Sequence, residues 1–378
     1  MTKKFGQLFN YLPKSKIKAG SGIEKGSFPF YTCSDKLTKS IDQSLYNCEA
    51  LIFGTGGNAT MHYVDGDFSV STDCLVAKRK SDEVLTKYVY YYLFSNMCIL
   101  QRGFRGSGLK HISKSYIDEI DIPILDLEVQ KKIINSTDKI LRAINQRTEQ
   151  IELINKHLLD TFICLFGEPV SNPKGFEIRT LSEFYKCRKG SVKCGPFGSA
   201  LKKNEYVEEG IAVWNMDNIT KNGAFIDEPN LYITHIKYEQ LSAYGVENED
   251  IIISRAGTVG KMCVVDSKHQ PSIISTNLIR LRLDREQLLP LYFVSLISFF
   301  GARVARLKTG NDNSFTHMNT GVLDSICFPY PPVELQNKYE NILNESRKIQ
   351  KLLIHSISEL ETTYKATLQK AFNGELFS

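Results

Sequence analysis

The sequence predicts an α+β fold with two globular domains in tandem pseudo-repeat, each followed by a long α-helix. Two observations favour this fold. Two proline-free stretches of about 40 residues carry apolar residues three and four apart, which is the pattern of a helix with one narrow apolar seam. The residues around the first stretch also recur about 206 positions later, so that Ile120 corresponds to Ile326.

The two predicted helices are Leu127–Leu165 and Val333–Phe372. Each would be roughly 58 Å long at the helical rise per residue, and a single apolar seam of that length is not stable in water alone. We therefore expect the two helices to pair with each other as an antiparallel coiled coil. The seam residues are Ile133, Ile140, Ile144, Ile151, Ile154, Leu158, Phe162 and Leu165 in the first helix, and Ile342, Ile349, Leu353, Ile357, Leu360, Tyr364, Leu368 and Phe372 in the second.

The repeat continues outside the helices and divides the chain. A proline-bearing lead-in precedes a Glu-x-Gln triplet in each copy, Glu128–Gln130 and Glu334–Gln336. Further upstream, Ser71–Asp73 corresponds to Ser275–Asn277. A period near 200 residues indicates a tandem duplication rather than a solenoid. The predicted parts are a first globular domain (1–125), a first long helix (126–168), a second globular domain (169–332) and a second long helix (333–378).

The composition is that of a soluble chain with room for two cores. It has 378 residues, of which 42% are hydrophobic and 24% charged. The net charge of +5 permits a polyanionic partner without requiring one. The nine cysteines are scattered and form no Cys-x-x-Cys pair, which predicts free thiols in a reducing compartment. No apolar run follows the charged N-terminus, and we expect a cytoplasmic protein.

In the first domain, runs rich in β-branched and aromatic residues predict strands, and a tyrosine-rich run predicts a helix. The predicted strands are Phe28–Thr32, Glu49–Phe53, Phe68–Leu75 and Val76–Lys78. The predicted helix is Tyr88–Leu100, whose four tyrosines we expect to pack on the sheet.

Two loops of the first domain are rich in glycine. One is Gly54–Asn58, and the other is Arg102–His111, which holds three cations, three glycines and no acid. Glycines let a backbone approach a phosphate closely, and cations neutralise its charge. A flexible solvent-exposed loop is the alternative for this segment.

The second domain has loops at matching positions with different polar residues. Lys189–Lys203 is basic, glycine-rich and free of acids, and the predicted strand Glu249–Ser254 leads into Arg255–Lys261. Thr309–His317 matches Arg105–His111 in place but has amides instead of cations. Two domains that recognise different DNA sequences would have different polar residues in matching loops. Neutral divergence of surface loops would also produce such differences.

Familiar catalytic and metal-binding patterns are missing from the sequence. Gly257–Lys261 lacks the spacing of a P-loop, and the seven histidines form no metal-binding pair. Phe328–Pro332 lacks the Asn/Asp-Pro-Pro-aromatic order of an amino-methyltransferase. His111 and His317 occupy equivalent positions, for which we favour a shared structural hydrogen bond over DNA contact. We expect no catalytic, cofactor-binding or metal site in this chain.

The order of these parts resembles the specificity subunit of Type I restriction–modification enzymes. The resemblance covers the whole chain, and its most specific part is the duplicated ending, Pro329–Gln336 with its long helix and the C-terminal Leu368–Leu376. Gly195–Ser199 and Ser254–Lys261 are similar to stretches common in the target-recognition domains of that family. The first copy departs from the pattern, since Gly54–Asn58 has no counterpart of Lys261.

The resemblance implies a bipartite DNA reader that is not an enzyme by itself. Each globular domain would read one half-site of double-stranded DNA, and the helix pair would fix the interval between the half-sites. Two modification subunits, which bind S-adenosylmethionine and methylate adenine, would dock on the helices. Restriction subunits that use ATP and Mg would then join. These cofactors would belong to the partner subunits.

The same resemblance implies that polar residues of the loops contact DNA. We expect phosphate contacts from cations and base-edge contacts mainly from amides and hydroxyls. The expected phosphate contacts are Arg102, Arg105, Lys110, Lys193, Lys202, Arg255 and Lys261. The expected base-edge contacts are Asn58, Ser199, Asn215, Asp217, Asn311 and Asn313, although an Asn/Asp cluster such as 215–218 also commonly forms a turn.

Two other functions stay open at this point. One is a self-sufficient DNA methyltransferase or nuclease with divergent motifs, which would act on DNA without a partner. The other is a two-headed coiled-coil scaffold that binds proteins, which would show no affinity for DNA.

Overall fold

The computed structural model describes residues 1–106, 108–187, 189–198, 200–220, 223–255, 260–309, 319–373 and 375–376, with the backbone alone described at 302–303 and 305–309. The chain forms two compact units. The first consists of residues 1–150 and 352–378, and the second of residues 151–351. The domain limits predicted above follow the order of the chain and stay a prediction.

The first unit contains short strands and helices followed by parts of two long helices. Its strands are β1 (Thr2–Lys4), β2 (Phe9–Tyr11), β3 (Phe28–Tyr31), β4 (Ser40–Ile41), β5 (Tyr46–Asn47), β6 (Ala50–Gly54), β7 (Thr60–Val64), β8 (Asp67–Val70), β9 (Cys74–Arg79) and β10 (Asp121–Pro123). Its short helices are α1 (Phe5–Leu8), α2 (Thr86–Ser95), α3 (Met97–Arg102) and α4 (Lys114–Asp118). The long helix α5 (Leu127–Phe166) begins in this unit.

The second unit repeats this composition. Its strands are β11 (Ile178–Thr180), β12 (Val192–Cys194), β13 (Ile211–Trp214), β14 (Tyr232–Ile233), β15 (Gly245–Val246), β16 (Ile251–Ser254), β17 (Met262–Val264), β18 (Ser272–Ile274), β19 (Leu278–Leu281) and β20 (Cys327–Pro329). Its helices are α6 (His235–Leu241), α7 (Pro290–Thr309) and α8 (Thr320–Asp324), and the long helix α9 (Val333–Phe372) begins here and ends in the first unit.

The sheets of the two units have the same topology. The first unit has the sheet orders β1-β10, β2-β9-β6-β7 and β4-β3-β8-β5, and the second has β11-β20, β12-β19-β16-β17 and β14-β13-β18-β15. One pair in each unit is parallel, β3 with β8 and β13 with β18. The tandem repeat inferred from the sequence is therefore a repeat of the fold.

The strands at the centre of each unit are buried on both faces. Leu51 and Phe53 of β6 pack in the core that the helices share, whereas Ile52 packs in the core shared with the β4-β3-β8-β5 sheet. In β16, Ile253 and Ile252 divide between two cores in the same way. Alternation of side chains along a strand explains why these short segments are apolar throughout.

The repeated Glu-x-Gln triplet has a structural role in both units. The Leu85 amide donates to Oε1 of Gln130 (2.8 Å), and Nε2 of Gln130 donates to the carbonyl oxygens of Glu83 and Leu125 (2.8 Å each). Gln130 is fully buried. Its side chain therefore satisfies backbone groups at the start of α2 and α5 that have no partner within a helix.

The second unit contains the same arrangement around Gln336. The Leu289 amide donates to Oε1 of Gln336 (2.9 Å), and Nε2 donates to the carbonyl oxygen of Pro331 (2.9 Å) and more distantly to that of Gln287 (3.3 Å). A second repeated bond lies nearby, because the hydroxyls of Tyr88 and Tyr292 donate to the carbonyl oxygens of Pro123 (3.0 Å) and Pro329 (3.1 Å).

The long helices pack together in antiparallel orientation within each unit. In the first unit, Nε of Arg147 on α5 donates to the Ser356 hydroxyl on α9 (2.7 Å). In the second unit, Nε2 of Gln350 donates to Oδ1 of Asn155 (2.8 Å), and the rings of Phe162 and Tyr339 lie 5.3 Å apart. The predicted α+β fold with paired long helices is confirmed. One seam assignment is wrong, since 51% of Ile349 is exposed.

Two predicted elements are divided in the structure. The predicted strand Phe68–Leu75 is interrupted after Val70, where the Cys74 amide donates to the Ser71 carbonyl oxygen (3.2 Å) and closes a turn. The predicted helix Tyr88–Leu100 is split into α2 and α3 at Asn96, whose backbone leaves the helical region (φ −118°, ψ 40°). Over the described parts of the chain, no helix has both the length and the apolar character of a membrane span.

Candidate nucleic-acid interface

The parallel strands β13 and β18 place two polar loops side by side in the second unit. The strands end at Trp214 and Ile274, which are opposite each other in the register. Because the carboxyl ends of parallel strands meet at one edge of a sheet, the loops that follow them adjoin. They form an open groove of about 250 Å³ lined by Tyr206, Asn215, Met216, Asp217, Leu231, Ser275, Thr276 and Asn277.

A glycine brings a third loop to this edge. The Gly195 amide donates to the Leu278 carbonyl oxygen (2.9 Å) directly after β12. A Cβ atom at Gly195 would lie 1.9 Å from the Ser275 carbonyl oxygen, so that only glycine fits. The close approach packs the backbone of Gly195 against Ser275 and Thr276, and 62% of the nearby Phe197 stays exposed.

Arg255 follows β16 and completes the cluster. Its amide donates to the Asn277 carbonyl oxygen (2.9 Å), and its guanidinium carbon lies 5.2 Å from the centre of the Phe197 ring. This distance is typical of a cation–π contact. A half-buried cation and an exposed ring thus stand beside the polar groove.

The first unit has an equivalent edge with different side chains. Thr55 follows β6, and both its amide and its hydroxyl donate to the Asp73 carbonyl oxygen (2.8 Å each). Cys33, two residues after β3, lies beside this loop. The hydrogen bond from the Cys74 thiol, aided by the amides of Gly56 and Thr55, lowers the pKa of the Cys33 thiol to about 6.

The two glycine-rich loops of the first unit are joined to each other. The Gly57 amide donates to the Lys110 carbonyl oxygen (3.0 Å), while Arg105 and His111 exchange two backbone hydrogen bonds (3.0 Å each). Nδ1 of His111 lies 3.1 Å from the Thr55 carbonyl oxygen, which is the structural contact favoured by the sequence. Its counterpart His317 lies outside the described residues.

The remaining residues predicted from the sequence fall into three groups. In the first unit, Asn58, Arg102, Arg105 and Lys110 are exposed. In the second, Lys202 and Asp217 are exposed, Lys261 is half-buried, and Nζ of Lys193 lies 5.1 Å from the centre of the Tyr244 ring. Ser199, Asn311 and Asn313 lie outside the described residues.

Asn215 is used within the fold. Its Oδ1 accepts from the Asp217 amide (2.7 Å), and its Nδ2 donates to Oδ1 of Asn230 (2.7 Å). These bonds make it the cap of a short turn. It lines the groove, and part of its side-chain capacity for hydrogen bonds is already occupied; its base-edge contact stays a prediction.

Phe197, Thr276 and Asn277 belong to this edge although their side chains were not singled out in the sequence. The correspondence of Ser71–Asp73 with Ser275–Asn277 was the available signal for the last two. For Phe197 the available signal was its place within Gly195–Ser199, the stretch that resembles target-recognition domains. Among the described residues, no group of three His, Cys, Asp or Glu side chains is placed to hold a metal ion.

Several known proteins are similar to this chain over most of its length. The Type I restriction enzyme MjaVIII specificity subunit of Methanocaldococcus jannaschii is 24% identical over 340 residues, which are 85% of this chain and 76% of that protein. The EcoKI specificity subunit of Escherichia coli K12 is 23% identical over 288 residues, which are 72% of this chain and 61% of that protein.

Solved structures share the fold. The Type I restriction–modification S subunit from M. genitalium aligns with a TM-score of 0.66 at 17% identity, covering 98% of this chain and 95% of that one. A chain described in connection with complex assembly and conformational transition of the type I R-M system aligns with a TM-score of 0.54 at 16% identity, covering 100% and 98%.

A family model matches both halves of the chain. The model describes the Type I restriction modification DNA specificity domain, and it matches residues 1–155 and 173–362. These ranges contain the β13–β18 edge of the second unit and the equivalent β3–β8 edge of the first. The chain therefore belongs to the family of Type I restriction modification DNA specificity domains.

Proposed function

We propose that this chain reads a bipartite DNA target, with one half-site contacted by each unit at the edge where its parallel strands end. One observation carries the proposal. The two units repeat the same sheets and share several backbone hydrogen bonds at this edge, yet they present different polar side chains there. Two domains with the same backbone fold and different polar side chains at one edge could each recognise a different DNA sequence.

Three pairs of positions illustrate the exchange. The residue after the central strand is Thr55 in the first unit and Arg255 in the second, and each donates its amide to the residue before the next strand. That acceptor is Asp73 in one unit and Asn277 in the other. In the register of the sheets, the residue opposite Val76 is Leu12 in the first unit, and the residue opposite the equivalent Arg280 is Lys193 in the second.

The cations of the loops would supply affinity that does not depend on sequence. Arg102, Arg105 and Lys110 in the first unit, with Lys193, Lys202 and Lys261 in the second, are proposed to contact phosphates. Each such contact releases counterions, so binding should weaken steeply with salt. Asn58, Ser199, Asn215, Asp217, Asn311 and Asn313 are proposed to contact base edges, within the limits described above for Asn215.

The long helices would set the interval between the half-sites. Each is 40 residues long and begins in one unit and ends in the other. A continuous helix converts a number of residues into a distance of about 1.5 Å per residue. The length of the helices would therefore fix the number of unread base pairs.

The proposal assigns the chemistry to other subunits. Modification subunits that use S-adenosylmethionine to methylate adenine would dock on the helices, and restriction subunits that use ATP and Mg would join them. The chain itself would contribute recognition without catalysis. The relatives described above support this division, since they are specificity subunits of Type I restriction enzymes.

The test is to map methylated adenines in cells that contain the modification subunit with or without this chain. We expect a target of two constant half-sites separated by a fixed interval, methylated only when the chain is present. A seven-residue heptad inserted after Gln150 and another after Lys351 adds about 10.5 Å to each helix. The interval should then grow by at most about three base pairs, because B-DNA rises 3.4 Å per base pair, with both half-sites unchanged.

Three results would contradict the proposal. A continuous target, or an interval that does not respond to the paired insertions, would remove the spacing role of the helices. Methylation or cleavage of DNA by the purified chain alone would indicate a self-sufficient enzyme. A reconstituted complex without affinity for DNA would indicate a protein scaffold.

A further inference from the structure

We propose that Arg255 and Phe197 determine specificity for one guanine in the half-site read by the second unit. Arg255 would donate two hydrogen bonds to O6 and N7 of that guanine, and Phe197 would pack against the neighbouring base. This inference rests on the proposed function. It replaces the phosphate contact that the sequence suggested for Arg255.

The guanidinium group of Arg255 is available for a ligand. Its contact within the described residues is with the Phe197 ring, and it donates no hydrogen bond to any of them. The other arginines of the second unit with described side chains each donate to a carboxylate or a carbonyl oxygen. They are Arg179, Arg280, Arg282, Arg285 and Arg347.

The contact with Phe197 orients this group. A guanidinium in contact with a ring has fewer orientations open to it, so its donors point in a narrower range of directions. Bidentate recognition of guanine O6 and N7 requires such a fixed fork, whereas a phosphate can be neutralised from many directions. Preorganisation of the side chain is therefore more useful for a base edge than for a phosphate.

The backbone on both sides of the pair is also fixed. The Arg255 amide is bonded to Asn277, and the preceding Ser254 amide donates to the Lys261 carbonyl oxygen (2.8 Å). Phe197 follows Gly195, which is pressed against Ser275. The two side chains thus project from supported positions beside the groove that contains Asp217 and Asn277.

The exposed ring of Phe197 fits the second part of the inference. A large apolar group that is 62% exposed at a polar edge offers a surface for a base or for the methyl group of thymine. In the first unit, Thr55 stands at the position of Arg255, and its hydroxyl donates to the Asp73 carbonyl oxygen (2.8 Å). We therefore expect no guanine contact of this kind in the first half-site.

The experiment uses the full chain in complex with its modification subunit. Binding is measured by fluorescence anisotropy on duplexes in which each base pair of the two half-sites is replaced in turn, at two salt concentrations. The variants are Arg255→Lys, Arg255→Ala and Phe197→Ala, with Lys202→Ala as a cation control. Arg255→Lys keeps the charge and removes the rigid fork.

We expect the wild-type complex to prefer guanine at one position of the second half-site by roughly 10- to 100-fold, the range of a bidentate contact. Arg255→Lys and Arg255→Ala should remove that preference and leave the first half-site unchanged. Phe197→Ala should reduce it and also relax the adjacent position. Lys202→Ala should weaken binding to all duplexes alike.

Other outcomes overturn the inference separately from the proposed function. If Arg255→Lys binds like the wild type while Arg255→Ala loses affinity for every duplex and has a smaller salt slope, Arg255 contacts a phosphate. If no Arg255 or Phe197 variant changes any preference, the pair does not contact DNA. A wild-type complex without preference at either half-site contradicts the proposed function itself. Fluorescence of the buried Trp214 at the wild-type emission in every variant shows that the second unit is folded.

Discussion

One difference between the two units lies in a polar cluster between α2 and the long helix α5. In the first unit, Nζ of Lys87 lies 2.7 Å from the Asp138 carboxylate, and the Tyr91 hydroxyl donates to the same carboxylate. The equivalent residues of the second unit are Leu291, Asn344 and Ser295. The ion pair was therefore not required for the fold, which agrees with the small contribution of partly exposed pairs.

The glutamine and tyrosine bonds beside this cluster are the same in both units. They satisfy backbone groups that would otherwise be buried without a partner, and a buried unpaired group costs more than an ion pair contributes. The comparison teaches that the repeat retained the hydrogen bonds that its backbone requires. The side chains around them were free to change.

The largest expected effect follows from this comparison. Gln130→Ala and Gln336→Ala should each destabilise their own unit by about 3 kcal/mol, because each removes the partner of three backbone groups that are mostly part-buried, at about 1 kcal/mol apiece. Hydrogen exchange followed by mass spectrometry measures the loss of protection separately in β6 and in β16. Gln146→Ala on α5 and Asn337→Ala on α9, both exposed, are the controls. An effect in only one unit would show that the repeated bonds are not energetically equivalent.

A smaller effect is expected where the units differ in backbone packing. Gly195→Ala should destabilise the second unit by about 1–3 kcal/mol, because the new methyl group would overlap the Ser275 carbonyl oxygen. The fluorescence of the fully buried Trp214, which is the single tryptophan of the chain, reports unfolding of this unit in urea.

Gly198→Ala in the same loop is the control, since no described atom lies within 4 Å of its Cβ position. Equal midpoints for the two variants would mean that Gly195–Phe197 is not held against Ser275. In the register of the sheets Leu12 corresponds to Lys193 and Lys14 to Gly195, so the first unit has no glycine at this position.

The sequence was informative where a pattern has a single physical explanation. The heptad seam predicted α5 to within one residue at its end and α9 at both ends. The repeated glutamines marked positions that proved to be buried. Asn215 was harder to interpret, because the same amide suits a turn cap and a base edge. Phe197 was missed, since its contact with Arg255 depends on a loop that is folded back by Gly195.

The smallest effect concerns the charge at the edge of the first unit. Because the pKa of the Cys33 thiol is lowered to about 6, its alkylation by iodoacetamide should reach half its maximal rate near pH 6, against about 8.5 for an ordinary thiol. The exposed Cys98, Cys164 and Cys187 are internal controls in the same digest. Any stability gained from the thiolate is complete above the pKa of the unfolded thiol and is lost as the pH falls through 6.

Cys74→Ala should move the midpoint of the Cys33 alkylation profile upward in pH. Coincident profiles for Cys33 and Cys98 would contradict the assignment. Cys33 stands two residues beyond β3, and in the second unit Met216 stands two residues beyond the equivalent strand β13. A titratable thiol at this position would therefore distinguish the first edge from the second.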